Sequence, residues 1–435
     1  MTETNKDTGV GSYFVSNYPP YSFWKKEYSN TAQEMLVKPV ADKRNLGFYL
    51  HIPFCRKRCK FCYFRVYTDK NKKQREDYIY NLVKELELYA NSPVVADRLV
   101  NFFYIGGGTP SALSAEQIEY LGEQLRRIFP HDGVQEITFE CEPGTLTEKK
   151  LSAIKNFGTT RLSLGVENFS DEILKENGRA HLSEEIHNAY KWVQELDFPQ
   201  VNIDLISGMV GETQENWQEC INKTIDLRPS SVTIYQMELP FNSIYAKQIL
   251  GEEGICRVAT WETKRRWAQD AFDQFKKIGY KQSSAYTVVL PSDKQSFCYR
   301  DQLWYGADMI GTGVASFSHV QGIHYQNVDK FETYMEKCEN KELPIHRAFP
   351  TNDRQRLIRE LILRMKLGYL KRQEFLDKFS VDIISEFADQ FSALEKRGML
   401  VENEQGVELT TQGLLQVDSL LPNFYDPEYQ NARYT

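Results

Sequence analysis

Cysteine is scarce in this chain, and long apolar runs and a marked surplus of one charge are missing. Eight cysteines among 435 residues are too few and too scattered for a disulfide framework. Reduced thiols are then available to bind metal. No stretch reaches the roughly 18 apolar residues that a membrane-spanning helix needs. The opening MTETNKDTGVGSYFVSNYPPYSFW also has neither the basic nor the apolar segment of an export signal. The expectation is an unexported, cytoplasmic protein with no membrane partner. Lys and Arg number 53 against 60 Asp and Glu, a formal net charge of -7, so no nucleic acid is expected as a partner either.

With 41% hydrophobic residues, the chain has ample material for a core. Short β-rich runs at 48–52, 101–105, 136–141, 161–166, 201–206 and 231–236 alternate with helical patterns such as 74–90, 114–129 and 183–196. Six strand-then-helix units in series predict a parallel sheet with right-handed crossovers, either open or curled into a partial barrel. Chemistry in both architectures sits at the carboxyl ends of the strands. The cysteine run at 55–62, GGGTP at 106–110, Glu140, Glu167 and Asp204 all fall at or near such ends.

From about 350 the pattern changes to helices followed by GMLVENEQGVELTTQG, which reads as a two-stranded wing. This winged-helix-like segment is mildly acidic and has no basic stripe, so packing or covering a substrate is expected of it rather than DNA binding. The division expected is an N-terminal arm at 1–45, an α/β barrel with its extension at 46–327, a polar linker at 328–350 and a helical, winged-helix-like domain at 351–435.

The stretch HIPFCRKRCKFCYF holds Cys55, Cys59 and Cys62 within eight residues. A structural zinc site would want a fourth ligand, which His51 could supply, but such sites usually come as two separated pairs. An iron–sulfur cubane has four irons, and three cysteines leave one of them open, which is a catalytic device. The cations Arg56, Lys57, Arg58 and Lys60 would offset the charge of a thiolate-bound cluster or form a solvated loop face. His51 is a candidate hydrogen-bond donor to a sulfur or a packed strand-end histidine.

The C-x3-C-x2-C spacing, with Phe61 before the last cysteine, resembles the radical S-adenosylmethionine (SAM) superfamily. YLHIPFCRKRCKFC, GGGTPS, FECEPGTL, RLSLGVENF, NIDLISG, GTGVASFSH and HYQN are similar to its HemN-type branch, the oxygen-independent coproporphyrinogen III oxidases. The likeness runs from SNYPPY at 16–21 to the wing. It implies a partial (β/α)6 barrel and a [4Fe-4S] cluster on Cys55, Cys59 and Cys62. The open iron would be chelated by SAM, whose reductive cleavage yields a 5′-deoxyadenosyl radical. It also implies up to two SAM molecules and a reducing donor such as flavodoxin or ferredoxin.

Residue by residue, the resemblance places Tyr49 against the cluster and SAM, and Gly107, Gly108 and Thr109 at the SAM amino group. It places Glu140 on the amino or ribose group and Arg179 on the carboxylate. Asp204, in an otherwise apolar strand, is a costly carboxylate unless a ligand or a structural partner meets it. Two positions depart from the oxidases: Glu167 stands where they usually have glutamine, and Phe64 where they carry a further cysteine. Both fall where the second SAM lies in the oxidases, and Glu167 is expected to act there. The expected function is thus a HemN-like radical enzyme on an aromatic or tetrapyrrole-like small molecule, by methyl or methylene transfer. Coproporphyrinogen oxidation and a heme-binding chaperone role are the alternatives, and Tyr18, Pro19 and Pro20 form a segment those chaperones generally lack.

Overall fold

The structure, a computed structural model, describes residues 17–40, 44–130, 133–250, 258–292, 297–430 and 432. The first sixteen residues of the expected arm, and Cys256, lie outside them.

Six parallel strands run in sequence order: β1 (Leu46–Ile52), β2 (Val100–Gly107), β3 (Glu136–Cys141), β4 (Arg161–Glu167), β5 (Gln200–Ser207) and β6 (Ser231–Gln236). Each is buried at most of its positions on both faces, as strands of a covered parallel sheet are. Phe48, Leu50 and Ile52 of β1 are fully buried, while the intervening Tyr49 and His51 turn to the other face. The crossover helices start where polar caps satisfy their first amides: Asn71 with Gln74 opens Lys72–Ala90, and Ser114 with Gln117 opens Ala115–Ile128. Right-handed crossovers of this kind keep all six carboxyl ends on one rim.

Among the described residues the sheet has twelve strands. Thr287–Val289 and Lys281–Gln282 extend it beyond β6. Asp308–Thr312 pairs in parallel with β1, and three antiparallel strands follow it, ending with Ile345–Pro350. The two outermost strands do not pair with each other, so the barrel is partial. The segment 328–350, expected as a polar linker, is built into this body as helix Phe331–Glu339 and the edge strand Ile345–Pro350. Phe331, Tyr334 and Cys338 are buried, a narrow apolar stripe inside a polar composition.

A second core gathers Leu357, Leu361, Ile362, Phe375, Phe391 and Phe424. It carries a three-stranded sheet, Tyr369–Lys371, Gly406–Leu409 and Leu400–Asn403, one strand more than the wing expected from the sequence. The aromatic arm packs rather than standing free for a ligand. Tyr18 is fully buried, 5.0 Å from the Tyr425 ring and 5.5 Å from that of Tyr429, and its hydroxyl donates to Asp426 Oδ2 at 3.0 Å. No helix among the described residues is long and apolar enough to cross a membrane.

Candidate active site at the carboxyl rim

The cysteine loop leaves β1 and folds back over the glycine turn that ends β2. Gly108 N–H donates to Ile52 O at 2.8 Å. An ideal Cβ on Gly108 would sit 2.9 Å from the Pro53 carbonyl carbon and 3.1 Å from Cys55 Sγ. At Gly107, φ is +120°, and a Cβ would meet the His51 ring at 2.6 Å. Both glycines are therefore needed for the approach of one turn to the other. Thr109 Oγ1 donates to Cys55 Sγ at 3.4 Å. Arg179 Nη1 donates to Cys59 Sγ at 3.3 Å, and its Nη2 to Gly165 O at 2.7 Å.

Burial pushes the Cys55 thiol up to about 11, and the nearby Cys62 and Cys59 push the same way. Burial and Cys59 likewise raise Cys62. Three thiolates side by side thus need a positive centre to form. Among the described residues no three His, Cys, Asp or Glu side chains converge on a point that would hold one metal ion. The three thiols nevertheless line one cavity. That spread suits the corners of a polynuclear iron–sulfur cluster better than a tetrahedral zinc. The glycine cradle and the Arg179 guanidinium beside the thiols fit such an anionic group.

Next to the thiols lie three half-buried carboxylates. Glu140 accepts from Tyr104 Oη at 2.6 Å and from Gly107 N–H at 3.0 Å, and burial pushes it up to about 7. Glu167, at φ +64°, approaches Arg179 at 3.5 Å. Burial pushes it up to about 7 despite the arginine, with Asp204 and Glu140 adding repulsion. Asp204 accepts from Ser163 Oγ at 2.7 Å and Asn202 Nδ2 at 2.9 Å, and burial raises it too. Such a cluster is poised to receive a cationic ligand.

Cys55, Cys59, Cys62, Gly107, Gly108, Thr109, Glu140, Glu167, Arg179 and Asp204 all line a single cavity of about 990 Å³. Tyr49 does not. It lies behind Tyr104, with ring centroids 5.7 Å apart and planes at 14°. His51 is buried against Gly107, and burial lowers it to about 4 while it bonds the Arg65 backbone. Its Nε2 has no partner among the described residues. Sequence reasoning missed the outer half of the cavity: Tyr63, Tyr235, Trp261, Tyr286 and residues 414–419 of the C-terminal domain. Tyr235 is the last residue but one of β6, so the strand-end rule could have found it. The C-terminal domain, expected to pack or to cover a substrate, brings residues 414–419 to this cavity, though nothing local marks those residues.

A model of the radical SAM superfamily matches residues 49–224. Over 97% of this chain and 95% of its own length, the oxygen-independent coproporphyrinogen III oxidase of Escherichia coli is 26% identical. The oxidase of Synechocystis is 25% identical over 97% of this chain and 93% of its length. The heme chaperone HemW of Bacillus subtilis is 24% identical over 84% of this chain and 96% of its own. Among solved structures, the coproporphyrinogen III oxidase HemN of Escherichia coli, described as a radical SAM enzyme, superposes with a TM-score of 0.82 at 22% identity, covering 94% of this chain and 96% of its own. The methyl or methylene transfer expected from Glu167 and Phe64 finds no support among these relatives, which are named for porphyrinogen oxidation or heme handling. Residues 49–224 thus match the radical SAM superfamily, whose cofactors are a [4Fe-4S] cluster and SAM, and the chain is similar over almost its whole length to the HemN-type oxidases.

Proposed function

We propose that this chain is a radical SAM enzyme acting on a tetrapyrrole, with oxidative decarboxylation of porphyrinogen propionates as its reaction class. The observation that carries this reading is the continuity of the cavity. One space of about 990 Å³ runs from the thiols to an aromatic outer end roofed by residues 414–419. That is at the upper end of small-molecule sites and leaves room for a large ring beyond SAM. Two oxidases also align with 97% of the chain, whereas the heme chaperone of Bacillus subtilis leaves 16% of it uncovered (100% less 84%).

In this reading Cys55, Cys59 and Cys62 hold the cluster. Arg179 takes the SAM carboxylate in a fork that lysine could not reproduce. Glu140, Glu167 and Asp204 meet its cationic and hydroxyl groups. The bound cofactors supply hydrogen-atom abstraction from an unactivated carbon. The protein excludes water and holds the substrate carbon within reach. Exposed Lys57 and Arg58 on the cysteine loop suit an acidic electron donor. The free cysteines of the described residues fit a cytoplasmic setting.

Anaerobic incubation of the reduced, cluster-loaded protein with coproporphyrinogen III and SAM tests the proposal. Stoichiometric 5′-deoxyadenosine and a product lighter by carbon dioxide and hydrogen are expected. Release of 5′-deoxyadenosine with the porphyrinogen unchanged would refute the assigned reaction.

A further inference from the structure

Tyr49 is the tyrosine expected at the ligand, but Tyr104, in front of it, is the one that lines the cavity. The Tyr104 ring packs against two others, that of Tyr49 with centroids 5.7 Å apart and planes at 14°, and that of Tyr299 at 4.2 Å and 35°. Only 9% of the residue is exposed. Its hydroxyl is thus carried on a ring with little freedom to turn away.

That hydroxyl is spent on Glu140. Tyr104 Oη donates to Glu140 Oε1 at 2.6 Å, and Gly107 N–H donates to Oε2 at 3.0 Å. Both donors belong to β2, which pairs in parallel with the β3 strand that carries Glu140. A Cβ on Gly106, between them, would come within 2.8 Å of Tyr104 Cε1 and 2.9 Å of Glu140 Oε2. The glycine therefore leaves the room that this pairing needs. One donor on each oxygen fixes the carboxylate plane, and a carboxylate has about four acceptor positions, so capacity for a ligand remains. Burial works against a charge on Glu140, and the bond from Tyr104 is the largest influence opposing it, ahead of Gly107 and Arg161. A hydroxyl bonded to a carboxylate is among the stronger hydrogen bonds.

Resting on the SAM reading above, we propose that Tyr104 is a positioning residue that acts through Glu140, holding its carboxylate in place for the ammonium group of the cofactor. Tyr49 and Tyr299 serve by fixing the Tyr104 ring. Tyr49 then contributes without reaching the cavity.

The test is equilibrium dialysis of labelled SAM against the cluster-loaded, unreduced protein, with affinity expressed per bound cluster. Tyr104→Phe keeps the ring and removes only the donor. It should weaken SAM by about tenfold, since a hydrogen bond to a charged acceptor contributes roughly that much or more. Glu140→Gln alone should weaken SAM by about tenfold or more. In the Glu140→Gln protein, the further change Tyr104→Phe should cost less than about threefold, because a residue that acts through Glu140 has lost its route. A ring that only packs would show no such loss when its hydroxyl goes, and a general loosening of the site would show the same loss in both backgrounds. Unchanged affinity in Tyr104→Phe, or a tenfold loss repeated in the double variant, overturns the positioning role and leaves the SAM reading standing. Failure of the wild type to bind SAM overturns both.

Discussion

Replacing Gly108 by alanine should empty the cluster site while leaving the barrel folded. The added methyl would lie 2.9 Å from the Pro53 carbonyl carbon, 3.0 Å from Phe54 O and 3.1 Å from Cys55 Sγ. The first two are backbone atoms, so neither can swing aside as a side chain would. Gly108 does not have positive φ, so the perturbation is steric and not conformational. Overpacking of this kind costs about 1–3 kcal/mol, and the movable partner is the loop at 53–55 rather than the paired ends of β1 and β2. Thr109 Oγ1 would also lose its 3.4 Å contact with Cys55 Sγ. The expected result is less than about a fifth of the wild-type iron and sulfide after anaerobic reconstitution, with the broad iron–sulfur absorbance reduced in proportion. Thermal unfolding of the metal-free protein should fall by no more than a few degrees. Gly398→Ala is the control, because its φ is +72° and a Cβ there meets nothing within 4 Å; it should cost stability and no iron. Full iron content in Gly108→Ala would refute the claim that the glycine turn sets the position of the first thiolate.

Two further outcomes follow from the same geometry. Glu167 has an ordinary value of 4.5 and is pushed up to about 7 by burial. The native state then keeps a proton that the unfolded chain releases between those values. Its contribution is full below about pH 4.5, is lost as pH rises through 7, and is flat above. The difference is about 3 kcal/mol, and Glu167→Gln should make the fall of the urea midpoint of the metal-free protein between pH 5.5 and 8 shallower, with Glu140 still contributing; an unchanged slope would refute the assignment. Tyr18→Phe removes the bond to Asp426 Oδ2 at 3.0 Å and the one accepted from Asp426 N–H at 3.1 Å. A loss of about 1–3 kcal/mol and faster proteolysis ahead of Trp24 are expected, and wild-type resistance would show that the arm is held by ring packing alone.

The sequence was most legible where one physical rule acts locally. The short β-rich runs and the three- and four-residue apolar steps between them depend on local propensity and periodicity, and the six parallel strands and their rim follow from their order. The cysteines were legible because ligand chemistry demands their type and spacing. Elements stabilised by distant partners were not. The strand Tyr369–Lys371 is three residues long and exists because Gly406–Leu409 lies beside it. Helix Phe331–Glu339 hides its three buried residues in a charged stretch. Nothing in the run LLQVDS signals that it roofs a cavity begun 350 residues earlier; the bond from Gln236 to Leu415 O and the pair Lys366–Asp418 are tertiary facts.

The placement of charge around the thiols also explains why the chain uses arginine at 179. Burial raises the proton affinity of Glu140, Glu167 and Asp204, and Asp204 adds to it at both glutamates, so a bare site would move toward neutrality by protonation. Arg161 opposes this at Glu140 and Asp204, and Arg179 at Glu167 and Asp204; a cation at this depth must stay charged despite its burial. Arg179 bonds Cys59 Sγ and Gly165 O from its two terminal nitrogens and approaches Glu167 as well. A lysine ammonium at the same depth would be driven toward neutrality, and the carboxylates would then hold protons that a cationic ligand must displace. Arg179 therefore does more than bind: with Arg161 it keeps an anionic wall partly ionised, and it favours the thiolates of a loop that burial alone would leave protonated, so both halves of the site are prepared for the groups they receive.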